Sequence, residues 1–181
     1  MLRALGIAVI VALVLAGVPA SARAVEPAVS PEALIKAGIV FNLAMVVSWP
    51  ESALDEGTFT IGVIGHDESD PSLNHLVGKE VRRRKLVLRD PLPAPAASEV
   101  QVVFISRSQS ASMSELLAAM AGLPLLTVSD IDGFCEAGGM VELRRDRNRI
   151  QLRVNREAAD RAGLKLSSHL LKMAEIVKGG D

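Results

Sequence analysis

The hydrophobic rhythm of the chain changes along its length, and each rhythm predicts a different kind of element. Leu5 to Val18 is an apolar run interrupted only by small residues. A second apolar stretch, Ala33 to Val47, is broken only by Lys36 and Asn42. Ser30-Pro31-Glu32 before it reads as an N-cap, a proline at the first helical position and an acid in the first turn, so a helix is expected. Trp49-Pro50 ends it, because the residue before proline disfavours the α region. A surface helix shows one apolar stripe, whereas this one is apolar on nearly every side. It is therefore either wrapped by its own domain or shared with another chain.

From Thr58 the pattern turns to short apolar runs divided by polar segments. Thr58–Gly65 predicts a buried strand, about Ser69 to Val77 a short helix, and Val81–Leu88 a second strand with a basic start. Pro91, Pro93 and Pro95 stiffen the next connection. Val100–Ile105 and Leu123–Val128 are predominantly apolar runs typical of strands covered on both faces, with a helix over Ser112–Ala121 between them. Period-two alternation then appears in Met140–Arg144 and Ile150–Asn155, around a turn at Asp146-Arg147-Asn148. That is the signature of an antiparallel hairpin at the sheet edge, with Glu142 and Arg153 paired across its wet outer face. Arg156–Ala162 predicts a short helix stopped by Gly163. Ser167 caps a last helix with Leu170, Leu171, Ala174 and Val177 inward and His169, Lys172 and Glu175 outward. The predicted fold class is α/β: a mostly parallel, Rossmann-like sheet flanked by helices, with a C-terminal antiparallel hairpin.

The first apolar run is short of the roughly 20 residues a spanning helix needs. Arg3 precedes it, and Ala20-Ser21-Ala22 and Ala22-Arg23-Ala24 follow as small-x-small sites. Residues 1–24 therefore read as a cleaved signal peptide and 25–181 as a single exported domain, without membrane insertion of the mature chain. No cysteine follows the apolar run, so it is not a lipoprotein signal. The full chain has 20 Lys and Arg against 21 Asp and Glu. Losing Arg3 and Arg23 leaves 18 against 21, a net charge near −3, which does not favour nucleic acid. The aromatic residues are Phe41, Trp49, Phe59, Phe104 and Phe134, too few for base-stacking platforms. Cys135 is the single cysteine and admits three readings: a small buried hydrophobe, an intermolecular disulfide, or a reactive thiol.

Reactive chemistry is hard to assemble from what remains. Gly62-Val63-Ile64-Gly65-His66-Asp67 lacks the third glycine and the immediate helix of a dinucleotide loop, no phosphate loop occurs, and Gly138-Gly139 reads as a turn after a short helix. His66, Asp67, Glu68 and Asp70, with His75 further on, read as a solvated loop, since neighbours in extended chain point apart; no metal, cofactor or catalytic residue is assigned. Ser129-Asp130 lies where α/β ligands gather, at the carboxyl end of a strand, but equally caps the short helix expected to follow. The densest positive run, Arg82-Arg83-Arg84-Lys85, reads as a guarded sheet edge or a contact for an acidic partner.

Several segments in order resemble the YfiR family (YfiR/HmsC-like periplasmic regulators of diguanylate cyclases). They are Phe41-Asn42 leading to Trp49-Pro50, Ile61-Gly62-Val63-Ile64-Gly65, Val103-Phe104-Ile105-Ser106, Leu126-Thr127-Val128-Ser129-Asp130, Phe134 with Gly138-Gly139-Met140, Arg153-Val154-Asn155, and Ala158-Ala159 through Leu164 to Ser167-Ser168 and Leu170-Leu171-Lys172. The resemblance spans about residues 31–177. It implies an α/β sandwich that forms homodimers in the periplasm and is not an enzyme. It implies further that the protein binds and represses the periplasmic sensor domain of an inner-membrane diguanylate cyclase, lowering cyclic di-GMP and biofilm formation, with an outer-membrane lipoprotein as a partner that relieves the block. Family members with paired cysteines differ from this chain, so disulfide control does not carry over. Candidate partner-binding residues are Phe41 and Met45 on the first helix and Met140, Glu142 and Arg153 on the hairpin. Ser129, Asp130, His169 and Lys172 are candidates under the alternative, a periplasmic small-molecule-binding sensor partnered with another membrane receptor or kinase.

Overall fold

In a computed structural model, described over residues 29–54, 57–65, 70–147 and 149–179, the first helix begins where its cap predicts. Residues 1–24, expected to be a signal peptide, and His66, Asp67, Glu68 and Asn148 lie outside the described residues. Helix α1 (Pro31–Val46) starts at Ser30, whose hydroxyl accepts the Ala33 amide at 3.1 Å. It stops as the chain turns extended at β1 (Val47–Ser48) and Trp49-Pro50. Then follow β2 (Thr58–Ile64), α2 (Asp70–Leu73), β3 (Glu80–Val81), β4 (Arg84–Arg89), β5 (Val102–Ile105), α3 (Met113–Met120) and β6 (Leu126–Ser129). The chain closes with β7 (Val141–Asp146), β8 (Arg149–Val154), α4 (Arg156–Arg161), β9 (Lys165–Leu166), α5 (Ser168–Met173) and β10 (Glu175–Ile176).

The main sheet has eight strands in the order β10-β8-β7-β6-β5-β2-β4-β3, and β1 pairs separately with β9. Its middle is parallel, from β4 through β2, β5 and β6 to β7. Each flank departs from that at one pairing, β3 running antiparallel to β4 and β8 antiparallel to β7, while β10 lies parallel to β8. The fold is thus α/β with a mixed sheet flanked by helices, parallel through its middle with an antiparallel hairpin on each side. That bears out the α/β class and the C-terminal hairpin, and replaces the expected mostly parallel, Rossmann-like sheet by a mixed one. Alternate residues of β5 show why its run is wholly apolar. Val102 and Phe104 join the core under α1, while Val103 and Ile105 join a second core under α3. Phe59, Phe104 and Phe134 are fully buried, each stabilising by roughly 1.5–3 kcal/mol. Gly62 interrupts β2 because a Cβ there would come within 2.3 Å of the Leu92 side chain, so this glycine serves packing.

Three local expectations give way. Val81–Leu88 is not one strand but the β3–β4 hairpin, bent at Arg82 (φ 50°) and Arg83 (φ 66°). That left-handed pair usually calls for Asn-Gly, so residue type concealed the turn. The last helix stops at Met173, and Glu175–Ile176 instead forms a strand along β8, capturing backbone groups that the edge would otherwise leave unpaired. The hairpin is therefore not the outermost element on its side. Residues 131–138 form turns and not a short helix.

Candidate functional site

Helix α1 departs from the usual amphipathic plan by being apolar on its outer side as well. Its inward face carries Ala33, Lys36, Ala37, Val40, Leu43 and Ala44. Its outward face leaves Leu34 45%, Ile35 54% and Met45 43% exposed. One side of the all-round apolar helix is thus wrapped by its own domain, and the other stands open. Met45 lies on the open side. Phe41 is half-buried against the core, with the Lys79 ammonium 5.3 Å from its ring centre. At the C-terminal end the Arg82 guanidinium donates to the carbonyls of Val47 at 2.6 Å and Met45 at 3.5 Å, where a cation complements the helix dipole.

Lys36 is the inward charge, 6% exposed, and it reaches the carboxyl end of β6. Its ammonium lies 2.6 Å from Asp130 Oδ2 and 3.1 Å from Glu32 Oε1. Arg107 adds a bond to the Asp130 carbonyl at 2.8 Å and approaches its carboxylate at 3.6 Å, while Arg145 holds Glu32 at 3.0 Å. Burial pushes the Lys36 pKa down, but hydrogen bonds and charge from Asp130 and Glu32 outweigh it and hold the group above its ordinary value. The hydrogen bond from Lys36 in turn holds Glu32 below the usual carboxylate range. Asp130 Oδ1 is buried and has no hydrogen-bond partner among the described residues. Ser129 has no hydroxyl to spare: it donates to the Ile105 carbonyl at 2.7 Å and accepts the Ile131 amide at 3.1 Å. The capping alternative describes Ser129, and Asp130 is the buried anchor of α1. Sequence reasoning missed Lys36 as that anchor, although a lone charge in an apolar helix calls for a partner.

The hairpin residues pair as expected but lie inside. Glu142 stands opposite Arg153 in register, with a 3.0 Å ion pair. Yet Glu142 is 1% and Arg153 8% exposed, and Met140 is buried too. These three are corrected from surface candidates to interior ones. Their cover comes from the turn after Phe134 and from β10: Arg153 also binds Glu136 at 2.6 Å and Glu175 at 3.4 Å. The Glu136 carboxyl is held below the usual range by its hydrogen bond from Arg153. Cys135 lies beside this cluster, its thiol donating to the carbonyls of Arg153 at 3.4 Å and Met140 at 3.7 Å. Burial pushes its pKa up to about 12, so the thiolate that reacts is scarce at neutral pH. The buried-hydrophobe reading fits this setting.

Beside the exposed side of α1, a cleft of about 370 Å³ is bounded by Ile39, Asn42, Val46, Leu152, His169 and Met173. It brings His169 to the first helix but leaves the exposed Lys172 outside. His75 is exposed and does not line this cleft. No helix among the described residues is long and apolar enough to cross a membrane.

Residues 33–175 match the model of a family described as YfiR/HmsC-like. No curated protein matches the chain. Among solved structures, it is similar to a conserved domain protein from Vibrio cholerae O1 biovar eltor strain N16961, with a TM-score of 0.57 and 14% identity. That similarity covers 82% of this chain and 60% of the other, and at such identity it speaks for the fold alone.

Proposed function

The chain belongs to the YfiR/HmsC-like family, and on that premise we propose that it binds the periplasmic sensor domain of an inner-membrane diguanylate cyclase and represses it, lowering cyclic di-GMP and biofilm formation. The family is one of periplasmic regulators of diguanylate cyclase, not of catalysts. In this reading the exported chain is the domain 25–181, it acts as a homodimer, and an outer-membrane lipoprotein relieves the block.

The observation that carries the reading is the open face of α1. Leu34, Ile35 and Met45 hold apolar surface in water beside a helix fixed firmly from behind by Lys36, which suits a rigid docking platform. Repression needs no chemistry. A regulator that binds only the inactive receptor shifts its population, and moving a two-state receptor from 1:99 to 99:1 takes about 10⁴-fold differential affinity. Deleting the gene is expected to raise cellular cyclic di-GMP, and restoring the wild-type chain to lower it. Restoring Leu34→Ser/Met45→Ser should leave the level high while the purified variant keeps its melting temperature. An unchanged cyclic di-GMP level on deletion overturns the reading.

The cleft at His169 supports a second reading, a periplasmic sensor that binds a small apolar molecule with a polar handle and works through another membrane receptor or kinase. A ligand binding there would raise the melting temperature of the wild type and not of His169→Ala.

A further inference from the structure

A different surface lies beyond the N-terminal end of α1, where the tip of the β7–β8 hairpin stands over the first helical turn. The cleft between them, of about 490 Å³, has Ile35 and Ile150 as apolar walls and Arg145, Arg147 and Arg149 as charged ones. Glu32 is the carboxylate that lines it. Arg145 is partnered by Glu32 at 3.0 Å and Arg149 by Asp146 at 3.3 Å; both guanidinium groups are well exposed, while Glu32 is half-buried and shared with Lys36 at 3.1 Å. An exposed pair such as that of Arg149 is weak and readily exchanged for an incoming carboxylate, and the exposed Arg145 guanidinium keeps donors to offer beside its bond to Glu32. Arg147 has no ion pair among the described residues, and its φ of 52° is one that glycine or asparagine adopts more easily. Arg82 shares that backbone conformation, and there the guanidinium caps α1. At Arg147 no contact within the described chain accounts for the side chain.

We infer that this cleft grips an acidic segment of a partner protein: carboxylates engaging the three guanidinium groups, with an aliphatic side chain between Ile35 and Ile150. The positive charge selects against basic and neutral segments, and planar guanidinium groups match carboxylates two bonds at a time. The start of the sixteen-residue α1 adds its own positive pole on the same side. Ile35 belongs both to this cleft and to the open face of α1, so one partner can cover the two surfaces together. The inference rests on the proposed reading only in taking the partner to be a protein.

The test uses the full chain in its own cell, with a photoreactive benzoylphenylalanine at position 35 and the crosslinked peptide sequenced. The expected peptide comes from another protein and carries at least two Asp or Glu within about six residues. Its yield should fall tenfold or more in R147E/R149E and only partly in R147K/R149K, with the unfolding midpoint unchanged in both. Four results overturn the inference: no crosslink from the wild type, a yield indifferent to charge reversal, a peptide without carboxylates, or a peptide from a second copy of this chain or from its own segment before Ser30, which contains Glu26. Cyclic di-GMP measured in the same strains separates the two ideas. A charge-dependent acidic crosslink with no change in cyclic di-GMP on gene deletion sinks the proposed function and leaves the cleft standing. Normal repression by R147E/R149E with an unchanged crosslink does the reverse.

Discussion

Lys36 shows how one side chain can set the orientation of an element. Its charge is drawn inward because Asp130 waits at the end of β6, and turning the lysine in turns Leu34, Ile35 and Met45 out. Removing one member of a buried pair commonly costs about 3–5 kcal/mol, because the other charge is left stranded. Lys36→Ala is therefore expected to lower stability by about that amount, and its melting temperature by roughly 10 °C for a domain of this size. Lys36→Met combined with Asp130→Leu should recover most of the loss, as read by urea unfolding; a double variant no better than the single one contradicts this account. The lysine stood out in the sequence as the one charge in the apolar stretch Ala33–Val47. Its partner, 94 residues away, left no local trace. The Glu142–Arg153 pair was legible because a hairpin fixes its own register, whereas its burial depends on Glu136 and Glu175, which arrive from other parts of the chain.

At the scale of elements, those with local punctuation were readable. The serine cap and proline at 30–31 and the Trp49-Pro50 stop bound α1 closely, and the alternation in β7 and β8 gave their pairing. The β3–β4 turn was hidden because two arginines hold conformations that composition does not announce. They differ in purpose, and that difference is measurable. Arg83→Asn is expected to stabilise the fold by up to about 1 kcal/mol, since asparagine tolerates the left-handed region better. Arg82→Asn gains the same relief but gives up the carbonyls at the end of α1, a loss of about 1–2 kcal/mol for bonds to a charged group. Arg83→Asn should thus be the more stable variant by thermal melting; the reverse order contradicts the capping role. The overrun of the last helix has a similar origin. Sequence supplied inward and outward positions, but only the exposed edge of β8 decided that Glu175–Ile176 becomes strand.

For the whole molecule, the two ionic clusters tie α1 to the sheet and β10 to the hairpin, and both respond to acid in the same sense. Glu32 and Glu136 titrate below their ordinary value of 4.5 when folded, so their contribution is present above that value and fades as pH falls through the folded one. Lys36 titrates above its ordinary 10.5, so its contribution holds below that value and fades only as pH rises through the folded one. These groups leave stability level across neutral pH and lower it below about pH 4.5. Melting curves from pH 7 to 3 should show the fall, with a shallower slope in Glu136→Gln; parallel slopes would remove Glu136 from the account. The outermost strands of the sheet, β3 and β10, are each two residues long. Strands that short offer little template of their own on which a neighbouring molecule could extend the sheet. The apolar side chains that do face water near these rims, Val87 on β4 and Ile176 on β10, stand singly, whereas Leu34, Ile35 and Met45 gather on α1, so a partner seeking apolar surface finds it on the helix before it finds it on the sheet.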